Sequence, residues 1–253
     1  MNQDIKNNVT QPTDSAHTSL MVFLSAVFLT IRYSAKQVFA NKFIYFISAA
    51  IALFLLIAVI YSLEEETPPA ADAIFYFLLA PGTLLIFYPS VYSLQSDVDS
   101  RMLETLFGIP NYRYKVWLAR SVVQYIVIAL LLTGLALFSR YALADFSVVS
   151  MVPHVMFPIL FLGSLAFMVS TMTRSGNGAA VVMVVIGLFF WIMQEPLEGS
   201  KWNLFLNPFA QVDPYEIFAW AETTLYNRIY LVIGSIVTTM YGLLRLQNRE
   251  KFM

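Results

Sequence analysis

The residue types that do chemistry are sparse in this 253-residue chain, and their spacing excludes most reactions. There is no cysteine, which rules out disulfides, thiolate metal ligands and cysteine nucleophiles. The only imidazoles are His17, in a polar tail, and His154, near the start of an apolar run. A two-histidine metal site is therefore not expected, and His154 reads as an interfacial polar residue. Ser164, in Gly163-Ser-Leu-Ala166, has no supporting base motif and reads as a packing residue rather than a nucleophile. Ser175-Gly-Asn-Gly178 lacks the lysine of a phosphate-cradling loop, so the chain is not expected to bind and split ATP in that way. Carboxylates fall almost wholly outside the apolar runs, leaving no candidate for a proton or sodium relay at mid-membrane depth. The eleven methionines, Met168, Met172, Met183 and Met193 among them, are scattered as core filler rather than spaced as a soft-metal ladder.

The elements explain this poverty. Hydrophobic residues make up 58% of the chain and charged residues 12%, with a mean hydropathy of +0.68. Water-soluble domains carry about a quarter charged residues, so the solvent predicted here is a bilayer. Uncharged runs cover 43–63, 73–96, 121–139, 146–173, 175–194 and 229–244. A helix crosses the hydrocarbon core in about 20 residues, and barrel strands of about 10 with alternating polarity do not match these runs. The sequence thus predicts an all-α polytopic membrane protein with six spans, near 43–63, 73–94, 117–139, 152–173, 177–194 and 228–246. The sixth run is short, and the stems of Arg228 and Arg245 at its ends can snorkel.

Six spans put both termini on one side, and the basic residues identify it. Twelve of the fifteen Lys and Arg fall on the terminal side: Lys6, Arg32, Lys36, Lys42, Arg101, Arg113, Lys115, Arg120, Arg174, Arg245, Arg249 and Lys251. Arg140, Lys201 and Arg228 alone face the other side, among ten carboxylates. Positive residues stay inside, so both termini are predicted to be cytoplasmic in a plasma (inner) membrane. A net charge of −1 argues against a nucleic-acid partner.

Three segments exceed a minimal bundle. Residues 1–19 read as a disordered cytoplasmic tail, and Leu20–Asn41 as an interfacial helix leading into the first span; the alternatives are an extension of that span or a seventh span. Between spans two and three, Asp97, Asp99 or Ser100 can cap a short helix that carries Met102, Leu103, Leu106 and Phe107 on one face and stops at Gly108 and Pro110. Such a face docks on a partner, on the bilayer or on the chain's own helix ends. Before the last span, 195–228 is rich in aromatics and cut by Pro208 and Pro214, as in two short helices dipping part-way into the outer leaflet; an interfacial aromatic belt is the plainer alternative. Pro81, Pro89, Pro153 and Pro158 bend the second and fourth spans, and Gly234, Thr238 and Gly242 form a small-residue stripe on the sixth.

The run Asp99-Ser-Arg-Met-Leu-Glu-Thr-Leu-Phe-Gly-Ile-Pro110, followed by Arg113, resembles the coupling helix of permeases of type-2 ATP-binding-cassette (ABC) exporters. Asn207-Pro-Phe209 before the last span is similar to that family's pattern too, while Ser100-Arg101 stands where the family often has Gly-Thr. The resemblance covers the chain from residue 20 to residue 253 as a single permease domain. It implies an N-terminal interfacial helix, a cytoplasmic coupling helix and a re-entrant outer segment. It also implies partner contacts through Asp99, Met102, Leu103, Glu104, Leu106 and Phe107, with Arg113 and Lys115 in support. The expected partners are ABC ATPase subunits, which hold the ATP and Mg²⁺, a second permease copy or paralogue, and membrane lipid. The chain itself would be no enzyme, would bind no cofactor, and would export an amphipathic or lipid-linked substrate. A membrane anchor or sensor that recruits a cytosolic protein is the alternative.

Overall fold

The computed structural model describes residues 43–64, 69–99 and 117–246. Six helices follow in order: α1 Phe43–Glu64, α2 Ala71–Asp99, α3 Ala119–Ala142, α4 Val148–Thr173, α5 Gly176–Ile192 and α6 Ile217–Arg245. No strand occurs among the described residues. Five helices are long and apolar enough to cross a membrane; α5, with 17 residues, is apolar but shorter. At about 1.5 Å per residue it reaches about 26 Å, against a hydrocarbon core of about 30 Å.

The helices are arranged around α2 and α4. α4 packs on α2, α3, α5 and α6, and α2 packs on α1, α3, α4 and α5. Accordingly 67% of the apolar window of α2 and 56% of that of α4 are buried within the protein, against 17% for α1. The outer helices turn large apolar side chains outward: Leu55, Leu56 and Val59 on α1, Leu130 on α3, Val185 and Phe189 on α5, Ile233 and Val237 on α6. Apolar faces of this extent would drive association in water; hydrocarbon is their natural solvent. These features make the chain a multi-pass membrane protein.

Between helices already solvated by lipid, close packing replaces the hydrophobic drive. The stripe on α6 does this inside the chain. A Cβ built on Gly234 would come within 2.8 Å of the Phe161 ring, and one on Gly242 within 2.7 Å of the Phe167 ring. Thr238, between them, donates to Ser164 Oγ at 3.0 Å. Ser164 therefore joins α4 to α6, the packing role its isolation predicted. α2 runs through Pro81 and Pro89, and α4 through Pro153 and Pro158, without interruption.

Two boundaries differ from the predicted ones. α2 continues through Asp97 to Asp99, so Asp97 lies within a helix rather than capping a new one. No glycine or proline interrupts the chain from Ser90 to Asp99, so the helix has no reason to stop at the end of its apolar run. α6 begins at Ile217, eleven residues before Arg228, so the second of the two expected outer pieces is the first three turns of α6. The remainder, 193–216, forms successive turns with no helix. The expected tail and interfacial helix, residues 1–41, lie outside the described residues.

Candidate functional site

Two places in the bundle gather polar side chains, at opposite ends of α2. The first is the C-terminal third of α2, where consecutive turns tie it to three other helices. Ser90 Oγ accepts from Gln124 Nε2 of α3 at 2.7 Å, and Val91 O accepts from Ser170 Oγ of α4 at 2.9 Å. Tyr92 donates to Asn177 Oδ1 of α5 at 3.3 Å, and Gln95 Oε1 accepts from the N–H of Gly176 at 2.6 Å. Gly176 opens α5, and a Cβ there would fall 2.5 Å from Gln95 Oε1 and 2.6 Å from the Tyr92 ring, so a larger residue would push both side chains aside.

The turn that Gln95 grips is unusually tight. α4 ends at Thr173, Arg174 takes the left-handed conformation with φ 55°, and its N–H bonds Ser170 O. Ser175 then caps α5 by accepting from the N–H of Gly178 at 3.3 Å. At this end of α2, Leu94, Trp117, Phe167, Leu243 and Leu246 form a separate apolar cluster that joins α2, α4 and α6 to the start of α3. The Arg120 guanidinium lies 4.8 Å from the Trp117 ring centre.

Of the residues predicted to touch a partner, Asp99 is the last of α2. Met102, Leu103, Glu104, Leu106, Phe107, Arg113 and Lys115 lie outside the described residues. The predicted contact segment therefore starts one turn beyond the Gln95–Gly176 bond.

The second place is the opposite end, where 193–216 covers the bundle. Arg228, 5% exposed, is its centre. Its guanidinium donates to Leu206 O at 2.9 Å, to Asn227 Oδ1 at 3.0 Å and to His154 Nδ1 at 3.4 Å, and stands 5.6 Å from the Phe157 ring. The stem does not snorkel outward as predicted: three acceptors within the protein replace water for the charge. Asn227 Nδ2 in turn donates to Lys201 O and Asn203 O.

The covering segment is shaped by a repeated Asn-x-Phe. Asn203 Oδ1 accepts from the N–H of Phe205, and Asn207 Oδ1 from the N–H of Phe209, both at 3.0 Å. Each is an Asx turn, which competes with helix, and Pro208 and Pro214 reinforce the effect. The free amide nitrogens close the segment on itself and on the bundle, Asn203 donating to Gln194 O within the segment at 3.3 Å and Asn207 to Asp72 O of α2 at 2.9 Å. Both asparagines are 5% exposed. His154 meets Phe209 edge-on at 5.6 Å, so its apolar rim is packed and its Nδ1 is engaged. Sequence reasoning found none of this network; the repeat of Asn-x-Phe at a spacing of four was its visible sign.

Two cavities flank these structures. One of about 630 Å³ lies under the covering segment, between Tyr76, Trp191, Gln194, Glu195, Glu198, Asn203 and Trp220. The other, about 530 Å³ and almost wholly apolar, lies at mid-depth between Leu53 of α1, Thr83 and Phe87 of α2, Leu162 of α4, and Met183 and Leu188 of α5. Among the described residues no cluster of His, Asp and Glu could hold a metal ion. Set against family models, curated proteins and solved structures, the chain matches none. The class defined by fold and composition is therefore that of a multi-pass helical membrane protein.

Proposed function

We propose that the chain is the membrane-spanning permease subunit of an ABC exporter, driven by a separate ATPase that docks on 97–110. In this reading α5 is a short sixth span, both termini are cytoplasmic, and 193–216 dips part-way into the outer leaflet of the plasma membrane. Two permease copies, or a copy and a paralogue, pair with two ATPases that carry the ATP and Mg²⁺.

The observation that carries the reading is the bonding of the last turns of α2. A helix that leads directly into the docking run is tied to α3, α4 and α5 at Ser90, Val91, Tyr92 and Gln95. A displacement imposed beyond Asp99 would be passed to three helices at once instead of being absorbed by one loose connection. Asp99, Met102, Leu103, Glu104, Leu106 and Phe107 form the contact, and Arg113 and Lys115 flank it. An amphipathic or lipid-linked cargo fits the apolar cavity of about 530 Å³ between α1, α2, α4 and α5.

Replacing both Leu103 and Phe107 with Asp places two charges in the docking face. The expected result is loss of the ATPase from detergent-purified complexes while the permease stays in the membrane at its normal level. Undiminished co-purification would overturn the assignment. Intact docking without ATP-dependent flux in proteoliposomes would instead make the chain an anchor or sensor.

A further inference from the structure

The cavity of about 630 Å³ beneath the covering segment lies within the range of about 300–1,000 Å³ typical of small-molecule sites. Its walls are partly fixed in advance. Asn203 and Asn207 are held by their Asx turns and their bonds to Gln194 O and Asp72 O, and Gln194 Nε2 donates to Tyr76 Oη at 3.2 Å. Three aromatic side chains, Tyr76, Trp191 and Trp220, contribute to the lining. On the α6 side the wall is Trp220, whose Nε1 is buried with no hydrogen-bond partner among the described residues.

The charge of the occupant follows from the acids. Glu195 and Glu198 line the cavity, and no Lys, Arg or His does. Neither carboxylate has an ion-pair partner among the described residues. Among the described residues, three cations lie at this end and are committed elsewhere: Arg140 pairs with Asp145 at 3.3 Å, Lys201 sits 5.8 and 5.9 Å from the Tyr226 and Tyr230 rings, and Arg228 is enclosed by Leu206 O, Asn227 and His154. Two uncompensated carboxylates beside aromatic faces favour a bulky organic cation, through charge attraction and cation–π contact together.

We propose that this cavity is a binding site for hydrophobic organic cations. The site stands on the cavity alone and holds whether or not the chain is a permease. The probes are radiolabelled tetraphenylphosphonium and tetraphenylborate, of like shape and opposite charge, measured by equilibrium dialysis against the full chain in dodecyl maltoside with protein-free micelles subtracted. The phosphonium is expected to bind saturably at one site per chain and the borate not to. Replacing Glu195 and Glu198 together with Gln weakens phosphonium binding about tenfold. Asp145→Asn, at the same end but outside the cavity, changes it less than about twofold. Both glutamates are exposed, so an unchanged gel-filtration profile of the double variant is expected. Equal binding of the two probes, absence of saturable binding, or a double variant that binds as the unaltered chain does would each overturn the proposal.

Discussion

The two ends of this bundle solve different problems with the same residue types. At the covered end, amides and one guanidinium bond mostly to backbone carbonyls, three of them in the covering segment: Arg228 to Leu206 O, Asn227 to Lys201 O and Asn203 O, and Asn207 to Asp72 O of α2. Irregular chain near a membrane survives only if such groups are met, and here they are met many times over. At the other end, the ties are separate bonds between regular helices, one each to α3 and α4 and two to α5. Gln95 meets the N–H of Gly176, which as the first residue of α5 has no partner within its own helix. A network of interlocked bonds fixes a shape, whereas single ties transmit a displacement and can be remade. On the proposed function, the covered end is a static lid on the bundle and the α2 end is where movement enters.

The sharpest way to break this contrast is at Arg228. Arg228→Met leaves Leu206 O and Asn227 Oδ1 buried without a donor, and a loss of about 3 kcal/mol is expected, read as the largest fall in unfolding temperature in detergent. Arg228→Lys rescues little, because an ammonium cannot span three acceptors in a fork. If Arg228→Met melted like the unaltered chain, the covered end would not be the rigid one. Gln95→Ala is the milder counterpart. It should cost about 1 kcal/mol of stability, less than Arg228→Met, since it leaves a single buried N–H, that of Gly176, without its partner. It should nevertheless reduce ATP-driven transport relative to ATP hydrolysis in the reconstituted complex. Equal loss of stability at the two sites would erase the distinction between them.

Much of the fold was legible because charge is so costly in hydrocarbon that uncharged runs delimit helices. The run 43–63 became Phe43–Glu64, and 175–194 became Gly176–Ile192. The same criterion failed at Arg228, where it ended a span that the structure continues back to Ile217. A charge ends a span only if lipid is its neighbour, and Arg228 faces Leu206, Asn227 and His154 instead. The covered end was illegible for a related reason. Asn203, Asn207 and Asn227 read as loop polarity until their partners, up to 135 positions away, are known. The stripe of Gly234, Thr238 and Gly242 was readable as packing, since small residues at helical spacing require only an adjacent helix and not a particular one. The docking run from Met102 to Lys115 rests on its sequence pattern and on the bonding of α2 just before it.

That run is also where the account is tested most directly. A photoactivatable benzoylphenylalanine in place of Phe107, illuminated in native membranes, reports by mass spectrometry what the face touches. The account predicts an adduct with a soluble ATPase subunit that carries the Gly-x-x-x-x-Gly-Lys-Ser/Thr loop missing from this chain. Adducts confined to lipid, or to the chain itself, would contradict it.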